Sequence, residues 1–213
     1  MTAVMGPGAI RADRYRADGT VRRDAHVLVA AQAATRLFGG GEASASVACW
    51  RVEDGALLEL INEPVVPFAN ADCDLRTTLE IAPTARVVLL DLVALCADTP
   101  CVLRSCTRVM LNERLVVHDQ FKLRREGRSA PLAVGTFMFC DPAESTPHAA
   151  LVAAVEGIEA AGVRVGIGRP RCGGLFVRVT AAQPWAAREA LHRIRGAVLT
   201  AAALPSGAPR GSF

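Results

Sequence analysis

Between residues 44 and 123, apolar and polar positions change places in short runs separated by turn residues, the pattern of a domain built from sheets. Residues 44–51 and 56–61 flank Glu53-Asp54-Gly55, whose glycine can take positive φ, and together they predict a hairpin. Pro64 and Pro67 then break the pattern. Across residues 74–81, Leu75, Thr77, Leu79 and Ile81 fall on one face and Asp74, Arg76, Thr78 and Glu80 on the other, which predicts a half-buried strand. The run ARVVLLDLVAL at 85–95 is apolar on both faces. A strand covered on both sides accounts for that, and Val87, Val88 and Val93 favour it over a buried helix. Residues 107–111 and 115–123, around Asn112-Glu113, predict a second hairpin, and 135–140 one further apolar strand.

The last third changes period. Thr146 and Pro147 read as the cap and first turn of a helix through residue 161, with Leu151, Val155 and Ile158 at helical spacing and Gly162 as its stop. Two short strands follow, 163–167 and 175–180. Pro184 opens a second helix to about residue 203 with Leu191, Ile194 and Val198 on one stripe. Residues 205–213 are rich in Gly, Pro and Ser and read as a loose tail. No internal repeat is visible. The expectation is a mainly β, α+β chain forming one domain over residues 1–213, with two C-terminal helices docked on its sheets.

Composition supports a packed core: 51% of the residues are hydrophobic and 21% charged. Aromatics are only 5%, so Val, Leu and Ala must fill that core, and no platform for stacking bases is evident. Net charge is +3, with the arginines scattered except between residues 11 and 23, which read as a frayed, solvated N-terminal segment rather than a nucleic-acid-binding arm. No apolar run approaches the roughly 20 residues that span a bilayer, and no basic-then-apolar leader is present, which points to the cytoplasm. Seven cysteines without a C-x-x-C pair are expected to be reduced. Cys96, Cys101 and Cys106, spaced C-x4-C-x4-C, match no zinc knuckle and are expected to pack. They carry the alternative reading, a small metal- or thiol-dependent enzyme.

Catalytic signatures are missing from the pattern. His26, His118, His148 and His192 have no paired-ligand spacing, there is no G-x-S-x-G elbow, and the glycines at 39–41 lack the Lys-Ser/Thr of a phosphate loop. Gly166-x-Gly168 reads as a hairpin turn. The anomaly is acids on apolar strand faces. Glu59 lies between Leu57 and Ile61, Asp91 between Leu89 and Val93, and Asp119 between Val117 and Phe121. A buried carboxylate needs a partner, water or a proton. Arginine partners, a solvated face, or a polar channel or metal path would each satisfy these three.

The segments AATRLF, LLELINEPVVPFANAD and ARVVLLDLVAL, in that order across residues 33–95, resemble the middle of the UreD (UreH) urease accessory protein family. Downstream, NERLVVHDQFKL resembles its acidic strand and PLAVGTF its H-P-x-x-G-T segment, with Ala130 in place of the His and one extra residue before Gly135. The resemblance covers residues 30–205. It implies a non-enzymatic protein of stacked, helically wound β-sheets with two C-terminal helices. It also implies a scaffold that joins UreF and UreG to apo-urease and assists nickel delivery, with nickel as transient cargo and no tightly bound cofactor, and with neither nucleic acid nor membrane as partner. Asp91 and Asp119 resemble the acids of the family's nickel path, with His118 as the alternative match to the second, and Glu59 resembles a common family Glu. Residues 1–30 show no counterpart of the family's Gly-Gly-x-x-Gly-Asp motif, and CADTPCVLRSC replaces its Gly-Arg and Gly-Glu signatures, so a divergent member with a shortened N-terminal region is implied.

Overall fold

A computed structural model describes residues 8–10, 12–95, 100–126, 132–158 and 161–205. The chain winds as a coil of strands. β2 (Arg14–Val21), β5 (Ser44–Val52), β8 (Ala71–Ile81) and β10 (Cys101–Leu111) begin 30, 27 and 30 residues apart and stack in parallel, each supplying one side of a turn of the coil. The other side is formed by β3 (His26–Ala30), β6 (Leu57–Ile61) and β9 (Arg86–Leu95), again parallel. Beside them runs a parallel column of β1 (Ala9–Ile10), β4 (Thr35–Phe38) and β7 (Val65–Pro67), which also ends on β9. The result is a mainly β, solenoid-like stack of two sheets.

The coil is closed at its far end by antiparallel strands. β11 (Arg114–Arg125) folds back on β10, giving a five-stranded sheet in the order β11-β10-β8-β5-β2. β12 (Leu132–Cys140) pairs antiparallel with β9, followed by β14 (Leu175–Ala181) and the edge strand β13 (Val163–Gly168), in a sheet of nine strands. Helices α1 (His148–Val155) and α2 (Pro184–Ala201) cover the outer face of this larger sheet. Leu191, Ile194 and Val198 of α2 are fully buried against Val88, Leu90, Phe137 and Val177. β9 is therefore covered on both faces, as its two-sided apolar sequence predicts.

Four expectations need correction. β5 and β6 do not form a hairpin: each lies in a different sheet, and Asp54-Gly55 turns a corner of the coil. There Gly55 (φ 70°) donates its N–H to Thr84 Oγ1 at 3.0 Å, and a Cβ would stand 2.0 Å from Asp24 Oδ1, so this corner stacks on those of neighbouring turns only with glycine. The expectation of a frayed 11–23 segment fails for its described part, because residues 14–21 form the edge strand β2, paired along its length with β5. Helix α1 ends at Val155 rather than 161: Glu156 turns to extended backbone (ψ 131°) and Gly157 to φ 83°. Its cap residue is Pro147, while the Thr146 N–H is held by the buried Asp141 carboxylate at 3.0 Å. Gly166 and Gly168 lie within strand β13, not in a turn. The 107–123 hairpin forms as expected, with Asn112 and Glu113 both at positive φ.

Candidate functional site

The space between the two sheets is layered. One apolar layer gathers Leu58, Leu60, Leu79, Leu89, Val109 and Met138; another gathers Leu37, Cys73, Val93, Leu95 and Leu103. Between them, strand register sets a row of small and polar side chains across the smaller sheet: Ala17, Ala48, Thr77, Thr107 and Asp119 are successive partners on β2, β5, β8, β10 and β11. The larger sheet supplies Asp91, Thr136 and Arg178, likewise successive partners on β9, β12 and β14. Alternation along the strands sets Asp91 two positions from Leu89 and Val93, Thr77 two from Leu79 and Leu75, and Asp119 two from Val117 and Phe121, so a polar layer lies between the two apolar ones.

Arg178 joins the two rows. Its guanidinium donates to both oxygens of Asp119 at 2.6 and 2.7 Å and to Thr136 Oγ1 at 2.6 Å, and it lies over the rings of Phe121 and Phe176, 4.9 and 5.3 Å from their centroids. Nη2 makes both carboxylate contacts while Nη1 goes to Thr136, and the ion pair is largely shielded from water, where charge-assisted contacts are strongest. Asp91 has no cation in hydrogen-bonding contact among the described residues. Its Oδ1 accepts from Asn62 Nδ2 at 2.6 Å, at the point where β6 ends and Pro64 separates it from β7. Asp91 keeps partial contact with solvent, yet surrounding protein raises its pKa above the ordinary carboxylate value. Desolvation is the leading cause and the Asp119 charge adds to it, while Asn62 and Arg178 act in the other direction.

The sequence-derived candidates therefore divide. Asp91 and Asp119 share the interior layer. His118 points the other way on β11, exposed and 3.5 Å from Cys106 Sγ, but it lines, with Val117, Asp119, Gly168, Arg169, Pro170 and Phe176, a cleft of about 200 Å³ through which Asp119 meets solvent. Glu59 lies on the opposite face of the larger sheet, under α2. It is fully buried and its oxygens are taken by Arg195 Nε and Nη2 at 2.9 and 2.5 Å and by His26 Nε2 at 2.8 Å. Among the described residues no three His, Cys, Asp or Glu side chains converge into a metal cage. Cys101 is buried on one face of β10 and Cys106 lies on the other, five positions on; Cys96 lies outside the described residues.

Arg178, Thr136, Asn62 and Arg195 escaped the sequence reading. Arg178 interrupts the apolar run LFVRV, and Arg195 occupies a position on the apolar stripe of α2, so each is a cation where the pattern calls for a hydrophobe. Read beside the acids on apolar strands, they were the missing partners.

The sequence model of the family described as UreD urease accessory protein matches residues 3–211. The chain belongs to the UreD family. Two relatives align over its parts: urease accessory protein UreD of Delftia acidovorans, 36% identical over 91 residues, and urease accessory protein UreD 2 of Streptomyces griseus, 36% identical over 90. The aligned stretches cover 42% and 40% of this chain and 30% of each relative. UreD proteins are accessory proteins rather than enzymes, which sets aside the thiol-dependent enzyme. The family match includes residues 3–30, although that stretch carries no counterpart of the Gly-Gly-x-x-Gly-Asp motif.

Proposed function

We propose that this chain serves urease maturation as a scaffold joining UreF and UreG to apo-urease in the cytoplasm, and that its interior polar layer passes nickel as transient cargo by way of Asp91 and Asp119. The observation that carries the scaffold role is the family match across almost the whole chain. The geometry favours a route over a store. Two carboxylates, an amide and threonine hydroxyls are oxygen donors strung along one layer, and such a set holds a borderline divalent ion weakly enough to hand it on, whereas thiolates or several imidazoles would retain it. Asp91 and Asp119 are the members that can neutralise a cation. His118, at the rim of the cleft, can meet it first, and Glu59 anchors α2.

The reading is tested by co-expressing the chain with UreF and UreG, purifying what assembles, and activating apo-urease with nickel. A soluble complex is expected. Asp91→Ala should assemble normally while activation falls by about tenfold, the usual scale for losing one charged contact. No binding of UreF in any combination would remove the scaffold role, and full activation by Asp91→Ala would remove the route.

A further inference from the structure

We propose that Arg178 is a built-in cation that holds the polar layer closed, and that a divalent cation enters only by displacing it from Asp119. The inference rests on the nickel-route reading and concerns what controls that route.

Asp119 is the acid reached from the cleft, and Asp91 lies further along the layer, beyond Thr136. Arg178 belongs to the same row as Asp91, two strands away with Thr136 as the cross-strand neighbour of both, and from there it reaches across to Asp119 on the smaller sheet. Both Asp119 oxygens lie against Nη2 of the guanidinium, so an arriving ion meets a carboxylate whose charge is already matched. The guanidinium is a resident stand-in for the cargo: one positive charge lodged where a metal ion would sit. Phe121 and Phe176 present ring faces close to it, and arginine, unlike lysine, keeps favourable stacking on an aromatic face when its carboxylate partner is withdrawn. An incoming ion of double charge competes for Asp119 at the cost of shedding water, so occupancy is a contest between two cations rather than binding to a vacant site. Thr136 weights the contest toward closure by holding the other arm of the guanidinium.

The test is nickel binding by the isolated protein, measured by equilibrium dialysis with circular dichroism as the fold control. Arg178→Met, which keeps the apolar stem and removes the charge, should bind nickel at least about tenfold more tightly than the parent. Adding Asp119→Asn should return affinity to the parent level or below. Thr136→Val, a gentle change that removes one hydrogen bond, should move affinity the same way as Arg178→Met by a smaller factor. Folded Arg178→Met with unchanged affinity overturns the proposal. Should Arg178→Met fail to fold, Thr136→Val decides, and unchanged affinity there overturns it equally. The two readings separate: activation of urease by the parent chain without any affinity gain in Arg178→Met removes the gate and leaves the route. The affinity gain without activation removes the route and leaves a cation site guarded by arginine.

Discussion

Asp91 binds a proton more readily in the folded chain than in the unfolded one, because enclosure by protein penalises its charge more than Asn62 and Arg178 relieve it. The consequence for stability has a definite sign. Below the ordinary carboxylate value of 3.8 the group is protonated in both states; as pH rises from there through the raised folded value, the native state loses stability, and above it the loss is complete. Asp91→Asn should therefore raise the urea midpoint at neutral pH, with the gain shrinking as pH falls toward 3.8. An equal gain at both ends of that range would mean that desolvation of the charge is not the cause. Glu59 differs from Asp91 in its partners. It is fully enclosed, and its charge is matched by Arg195 with His26 completing the contacts. Arg195→Leu leaves a buried carboxylate without its cation, and chemical denaturation should show a loss of about 3 kcal/mol or more. Replacing both members by apolar residues of similar volume should restore most of it.

At the level of elements, strands whose apolar faces meet a core were legible: 74–81, 85–95, the two arms of the 107–123 hairpin, and the stripe of α2 all sit where their periods put them. Corners were not. Asp54-Gly55 and Asn112-Glu113 are both polar corners that use positive φ, at Gly55 in the first and at both residues in the second, yet the second reverses the chain within one sheet and the first carries it to another. The difference lies in which strands pair, and turn residues do not encode that. β2 was hidden for a related reason. RYRADGTV has no apolar period because only Val21 is buried, and the strand exists through its ladder to β5 at a charged sheet edge. Of the candidate site, the acids were legible as anomalies within their own strands. That Asp91 and Asp119 share a layer and Glu59 does not was invisible, since it depends on which face of which sheet is turned inward. Gly135 is a case where a motif acquires a reason. A Cβ there would lie 2.6 Å from Leu191 Cδ1, so the glycine lets α2 settle directly onto β12. Gly135→Val should lift the helix and lower stability by about 2 kcal/mol, the scale of overpacking a tight core. A thermal melt indistinguishable from the parent would show that Leu191 simply turns aside.

Seen as a whole, the molecule is unevenly supported. The central strands β9, β12 and β14 are packed on one face by α2 and on the other by the smaller sheet, whereas β2 at the opposite end of the coil has one ladder partner and one covered face. In a stack where each turn leans mainly on the next, stability propagates through neighbouring interfaces, so the end without helices should open first. Native-state hydrogen exchange is therefore expected to be slowest in 86–95 and 132–140 and fastest in 14–21 and in the edge strand 163–168. Gly19 offers a way to push on one end alone, because the Trp50 ring packs over it and a Cβ would fall 2.2 Å from Cζ3. Gly19→Val should accelerate exchange in 14–21 and 26–30 while leaving β9, β12 and the Arg178–Asp119 contact protected. If protection falls equally everywhere, the coil and its helical cap unfold as one unit, and any opening of the polar layer would then be global. A gradient would instead show that the end bearing Arg178 and Asp119 holds its geometry while the far turn loosens, which is what a guarded route through a stable core requires.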